Sequence, residues 1–226
     1  MTVLAVFGHT DGVTATAFLL LALAAVAAVV DWWAVATGHR GVEYLAKPLA
    51  LVGLVAAATS LDVGDGAVQG AFVVALVFSL LGDVLLLLPD QWFVFGLASF
   101  LAAHVAYVVG FWLAGISLFT FLVGVVLVAV AVLVLGRRIV AGVAAGDDAD
   151  LVLPVAAYML VISVMVASAV GTVDALAIAG ACLFYTSDAL IAWTKFLHEL
   201  RQGRLAIIVT YHVAQFALVL SLVSLA

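Results

Sequence analysis

Asp83 and Asp188 each interrupt a stretch built otherwise from Leu, Val, Ala, Phe and Gly. An ionised carboxylate in lipid costs at least a few kcal/mol, so a carboxyl within a membrane span faces protein or water and is a functional candidate. Two at one level have a particular chemistry. Burial and like-charge repulsion oppose ionisation of both, leaving one acid and one base. Asp83 is expected about seven residues from the end of its span, roughly 10 Å deep, and Asp188 about nine residues from the same side, roughly 13 Å deep. His212 and Gln215 enter at a comparable level, and Lys47 lies nearer the surface. His104 and Tyr107 are three apart, hence on one helix face, and closer to the midplane. Together these groups are expected to line a cavity opening toward one leaflet. The plainer alternatives are helix capping for the aspartates, neutral packing for the histidines and interfacial snorkelling for Lys47.

The elements that position these groups follow from composition. Of 226 residues 69% are hydrophobic and only 9% charged, with a mean hydropathy of +1.42. A soluble globule cannot cover that much apolar surface. A hydrocarbon core roughly 30 Å thick needs about 20 apolar residues per crossing, and continuous runs without period-two alternation favour helices over a barrel. The expected fold is all-α, a single polytopic domain over residues 1–226 with spans at 13–36, 44–61, 67–88, 92–114, 116–138, 151–171, 174–197 and 204–225. No Lys or Arg precedes the first run, which is therefore read as a permanent span rather than a cleaved signal. The breaks carry turn residues, among them Gly38 to Gly41, Asp62 to Gly66 and Pro89-Asp90, and Gly142 to Asp150 reads as the longest polar loop. Asp150 with Pro154 reads as a helix start.

Eight spans place all seven basic residues, Arg40, Lys47, Arg137, Arg138, Lys195, Arg201 and Arg204, on one face. Retention of Lys and Arg on the cytoplasmic side then puts both termini outside a cell membrane. Lys195, Arg201 and Arg204 read as orientation charges. Trp32, Trp33, Trp92 and Trp193 read as belt residues, Asp31 as interfacial, and Asp147, Asp148 and Asp150 as loop residues. The single Cys182 excludes an internal disulfide.

The halves 13–114 and 116–225 share their punctuation. Lys47-Pro48, Gly82-Asp83-Val84-Leu85 and His104-Val105-Ala106 in the first correspond to Leu153-Pro154, Ser187-Asp188-Ala189-Leu190 and His212-Val213-Ala214 in the second, at nearly constant offset. Four spans per unit would make these parallel repeats about an axis along the membrane normal. Coincidence in an Ala/Val/Leu background is the alternative.

Metal-ligand spacing, a phosphate loop and a serine elbow are absent, and a net charge of −6 argues against a nucleic-acid surface. The chain resembles the YhhN family of membrane proteins, whose animal members include lysoplasmalogenases. The resemblance rests on Lys47-Pro48-Leu49, Gly82-Asp83-Val84-Leu85-Leu86 with Pro89, and Phe95-Gly96, Phe100, His104, Tyr107 and Gly110-Phe111. It continues through Ser187-Asp188 and Tyr211 with Ala214-Gln215, and covers roughly residues 15 to 225. His212 stands where an aromatic is expected in the family. The resemblance implies hydrolysis of the vinyl ether bond of a lysoplasmalogen, giving a fatty aldehyde and glycerophosphoethanolamine or glycerophosphocholine. The substrate partner is then a lysophospholipid in the bilayer, and no metal or cofactor is required.

Vinyl ether cleavage is acid chemistry, which suits the aspartate pair: one protonates the alkene carbon beta to the oxygen, and the other stabilises the oxocarbenium ion and orients water. Lys47 would attract the headgroup phosphate, while Tyr107, Tyr211 and Gln215 position glycerol or water. The main rival is a small-molecule or lipid transporter with an acidic intramembrane site. A lipid-binding scaffold is a third reading, and an intramembrane aspartyl protease lacks its Gly-x-Gly-Asp and Tyr-Asp signatures.

Overall fold

The computed structural model describes residues 12–146 and 148–226. Asp147, assigned above to a loop, and the stretch 1–11 ahead of the first span lie outside the described residues. Among those described, eight helices are long and apolar enough to cross a membrane. They are α1 (Ala15–Thr37), α2 (Arg40–Ser60), α3 (Gly66–Leu87), α4 (Phe93–Ala114), α5 (Leu118–Ala145), α6 (Val152–Thr172), α7 (Ala175–Phe196) and α8 (Gly203–Leu225).

The two faces of the bundle begin their helices differently. Thr14, Asp65, Ser117 and Asp174 each accept a backbone N–H in the first turn of α1, α3, α5 and α7. These oxygens satisfy donors that lipid cannot. The helices that start at the opposite face, α2, α4, α6 and α8, have no side-chain cap. That face instead receives all seven Lys and Arg, six of them nearer that end of their helices and Arg201 in the turn between α7 and α8. It is called the basic face below.

Neighbours in sequence pack as hairpins, α1 on α2, α3 on α4, α5 on α6 and α7 on α8. α4 crosses to α6, and α8 closes against α1, α2 and α3. Lipid supplies no hydrophobic drive between helices, so small residues and close backbones do the work. A Cβ on Gly53 would come within 2.8 Å of Ala24 Cβ, and one on Gly180 within 3.0 Å of the Ala214 carbonyl. These glycines set the α1–α2 and α7–α8 separations.

Most expected span limits agree to within a turn, with one clear correction. The fifth span was expected to stop at residue 138, but α5 continues to Ala145 after a π-helical turn over Val132–Gly136. Gly142, taken as the start of a loop, is inside that helix. A Cβ there would meet the Phe196 carbonyl at 2.9 Å, so this glycine permits contact with the end of α7 and breaks nothing. Pro48 lies inside α2, about two turns from its start at Arg40, where its missing N–H leaves the Tyr44 carbonyl without its helical donor. Asp83 is four residues from Leu87, about 6 Å, and so shallower than expected. Leu88 is extended ahead of Pro89 and ends the helix there.

Val173 joins α6 to α7 with φ at 62°, the left-handed region that a β-branched residue rarely enters. Such a conformation costs roughly 1–2 kcal/mol in an L-residue. Val173→Gly is therefore expected to raise the stability of the detergent-solubilised protein by about 1 kcal/mol. A thermal midpoint no higher than that of the unmodified chain contradicts this.

Candidate functional site

Asp83 is sealed within the bundle, 1% exposed. Lys47 of α2 approaches one oxygen at 2.9 Å, and Tyr211 of α8 donates to the other at 2.7 Å. Lys47 stands one turn from Asp31 in neither sequence nor helix, yet the two are within electrostatic reach. The local sequence explains the geometry: Ser79, Gly82 and Asp83 fall on the buried face of α3, beside Leu76 and Ala75.

Asp188 is set differently. Tyr158 of α6 donates to its Oδ2 at 2.5 Å, and His104 Nε2 lies 3.6 Å from the same oxygen, too far for a hydrogen bond. Among the described residues no Lys or Arg pairs with it. Its side chain is 12% exposed and lines a cavity of about 70 Å³. Apart from Asp188, Tyr158 and Tyr185, the walls are apolar, with Phe93, Leu97 and Phe100 from α4, Ile139 from α5 and Ile162 from α6. The π turn contributes Leu135 and Gly136.

Phe184, one turn before Asp188, joins the two carboxylate environments. Its ring meets His104 at 4.7 Å, Tyr211 at 5.4 Å, Phe100 at 6.1 Å and Tyr107 at 6.5 Å between centroids. The aspartates are within electrostatic reach of each other across this aromatic layer. Tyr107 donates to Gln215 Oε1 at 2.6 Å, while the buried Gln215 amide nitrogen has no hydrogen-bond partner among the described residues. His212 Nδ1 accepts from the Trp32 indole at 3.0 Å, which assigns the ring proton of the neutral imidazole to Nε2, without a partner among the described residues.

All eight residues singled out in sequence are thus in one connected interior, but only Asp188 lines the cavity. Lys47, Asp83, His104, Tyr107, Tyr211, His212 and Gln215 stand behind its wall.

The YhhN family profile matches residues 42–222. The chain belongs to the YhhN family. Lysoplasmalogenase TMEM86B of Rattus norvegicus is 34% identical over 151 residues, 65% of this chain and 59% of that protein. The Homo sapiens protein of that name is 35% identical over 147 residues, 65% of this chain and 61% of that protein. That of Sus scrofa is 32% identical over 182 residues, 78% and 74% respectively. This YhhN chain therefore spans about three fifths of the length of the first two relatives. No solved structure matches it.

Several residues of this YhhN interior were not singled out in sequence. Asp31, taken as interfacial, is 0% exposed, and neither carboxylate oxygen has a hydrogen-bond partner among the described residues. It shares the buried stripe of Ala17, Ala24, Ala28 and Ala34, and that small-residue periodicity was the available signal. Trp32, taken as a belt residue, turns its N–H inward to His212. Arg204, taken as an orientation charge, also grips both oxygens of the buried Glu43 at 2.7 and 2.8 Å, tying α8 to α2. Tyr158 is the polar residue of α6 whose hydroxyl had to find a buried acceptor.

Removing one member of a buried ion pair strands the other, at a cost of about 3–5 kcal/mol, whereas apolar replacement of both is far milder. Lys47→Met is expected to lower stability by that order, and Lys47→Met with Asp83→Leu to recover most of it. Thermal unfolding of the four proteins of the cycle checks this; a double variant no better than Lys47→Met rules out the coupling.

Proposed function

We propose that this chain hydrolyses the vinyl ether bond of a lysoplasmalogen, with Asp188 as the acid. One observation carries the reading: a carboxyl without a cationic partner opens on an apolar cavity, in a chain whose relatives bear the name lysoplasmalogenase. Asp188 gives its proton to the alkene carbon beta to the ether oxygen, producing an oxocarbenium ion. Its carboxylate then faces the cation and takes a proton from the attacking water. The resulting hemiacetal collapses to a fatty aldehyde and glycerophosphoethanolamine or glycerophosphocholine, so one water is consumed and Asp188 is again protonated.

Tyr158 holds Oδ2 by its hydrogen bond, which leaves Oδ1 to exchange the proton. Asp83, paired with Lys47, remains ionised and contributes negative potential across Phe184 and Tyr211 as the cation forms. His104 fixes the ring environment of Tyr158, edge-on at 5.3 Å. The division of labour resembles that of the carboxylates of glycosidases.

The wiring also favours parallel repeats. In residues 13–114 the second helix reaches Asp83 through Lys47, and in 116–225 the corresponding helix reaches Asp188 through Tyr158. Each aspartate is met by the fourth helix of the other half as well, through Tyr211 and His104. We propose that the halves are two such units, inserted with the basic face cytoplasmic and both termini outside. A circular permutant opened between Gly115 and Ser117 is expected to insert and fold, because each half starts and ends on one face; failure to insert counts against the two units.

Aldehyde release from a purified lysoplasmalogen in detergent tests the reaction. Asp188→Asn is expected to lower kcat on the order of 10² to 10⁴-fold, the usual share of general acid–base catalysis. Undiminished turnover by folded Asp188→Asn protein excludes Asp188 as the acid. Intact lysolipid with the unmodified chain, together with solute movement into sealed vesicles, would instead identify a carrier.

A further inference from the structure

Beside the Asp188 cavity lies a second recess of about 530 Å³ on the basic face, where the end of α7 meets the start of α8. Its charged groups are Lys195, Glu199, Arg201 and Arg204. The two spaces share a wall. Ile191 lines both, and Lys195 Nζ stands 4.4 Å from the ring centroid of Phe93, a wall residue of the cavity. Arg204 is held by Glu43, but among the described residues neither Lys195 nor Arg201 forms an ion pair.

On its other side the cavity meets an apolar groove of about 640 Å³ between α5 and α6. Gly136 and Met159 line both of these spaces. A cationic recess, a carboxyl-bearing cavity and an apolar groove thus follow one another. That is the order of parts in a single-chain phospholipid, from headgroup to linkage to hydrocarbon.

We propose that the recess is the headgroup subsite, in which Lys195 and Arg201 hold the phosphodiester of a lysophospholipid and Glu199 faces its ammonium group. The hydrocarbon tail leaves through the α5–α6 groove past the π turn. Spacing along α7 fits this placement. Asp188 and Lys195 are seven residues apart on one face, about 10 Å along the axis. The alkene carbon that takes the proton and the phosphorus of such a lipid are separated by about seven bonds, roughly 8–9 Å when extended, and the flexible lysine spans the rest. Lys47, committed to Asp83 behind the wall, has no such access.

The inference deepens the proposed hydrolysis, yet it can be tested without turnover. A saturated 1-alkyl-lysophosphatidylethanolamine has no vinyl bond to cleave. Calorimetry on the full chain in detergent compares its Kd with that of the matching 1-alkylglycerol, which lacks the phosphate. The unmodified protein is expected to prefer the phospholipid at least tenfold. Lys195→Gln with Arg201→Gln should reduce this preference to less than threefold, and Lys195→Arg with Arg201→Lys should retain it. No preference in the unmodified chain, or an unchanged preference in the Gln variant, overturns the headgroup site. Aldehyde release is scored separately: preference without release upholds the subsite and defeats the hydrolysis, and release without preference does the reverse.

Discussion

Carboxylates placed where lipid surrounds the bundle must be compensated from within the protein, and the arrangement of helices answers that demand. Asp83 draws Lys47 from α2 and Tyr211 from α8, so one residue ties three helices together. Asp188 draws Tyr158 from α6 and sits opposite His104 of α4. The Tyr211 and His104 contacts join segments far apart in the chain. In lipid, where apolar side chains gain little by meeting each other, such polar contacts and close-packed glycines decide which helices are neighbours.

The same two carboxylates divide by environment. Asp83 has a cation, a phenol and no opening, whereas Asp188 has a phenol, a distant imidazole and an apolar cavity. A paired, sealed carboxylate is suited to remain charged. An unpaired carboxyl at a cavity wall is suited to carry and release a proton. Asp31 adds a third buried carboxyl, beside the Trp32–His212 contact, and makes the α1 side of the interior more acidic than its sequence context implied.

The π turn of α5 links fold to access. It lies where Leu135 and Gly136 wall the cavity and where the α5–α6 groove begins. Beyond it the helix continues against the end of α7 because Gly142 has no side chain to hold them apart. A helix ending at residue 138, as the hydropathy profile implied, would have left Ile139, another wall residue of the cavity, outside the span.

Sequence alone determined the helical class, the number of spans, and the two aspartates, because lipid permits few backbone solutions and makes a misplaced charge conspicuous. Alternation of eight spans likewise determined that the basic residues share a face. Hydropathy could not determine which way a polar residue points. Asp31 and Trp32 looked interfacial by position but turn inward along an alanine stripe. Nor could spacing foresee Tyr158 on Asp188, or Arg204 on Glu43, since these pairs join helices whose contact depends on packing. Only tertiary structure decided that Asp83 is sealed by an ion pair while Asp188 faces open space. The physical reason is that solvation of a buried charge depends on every helix around it, and no single helix carries that information.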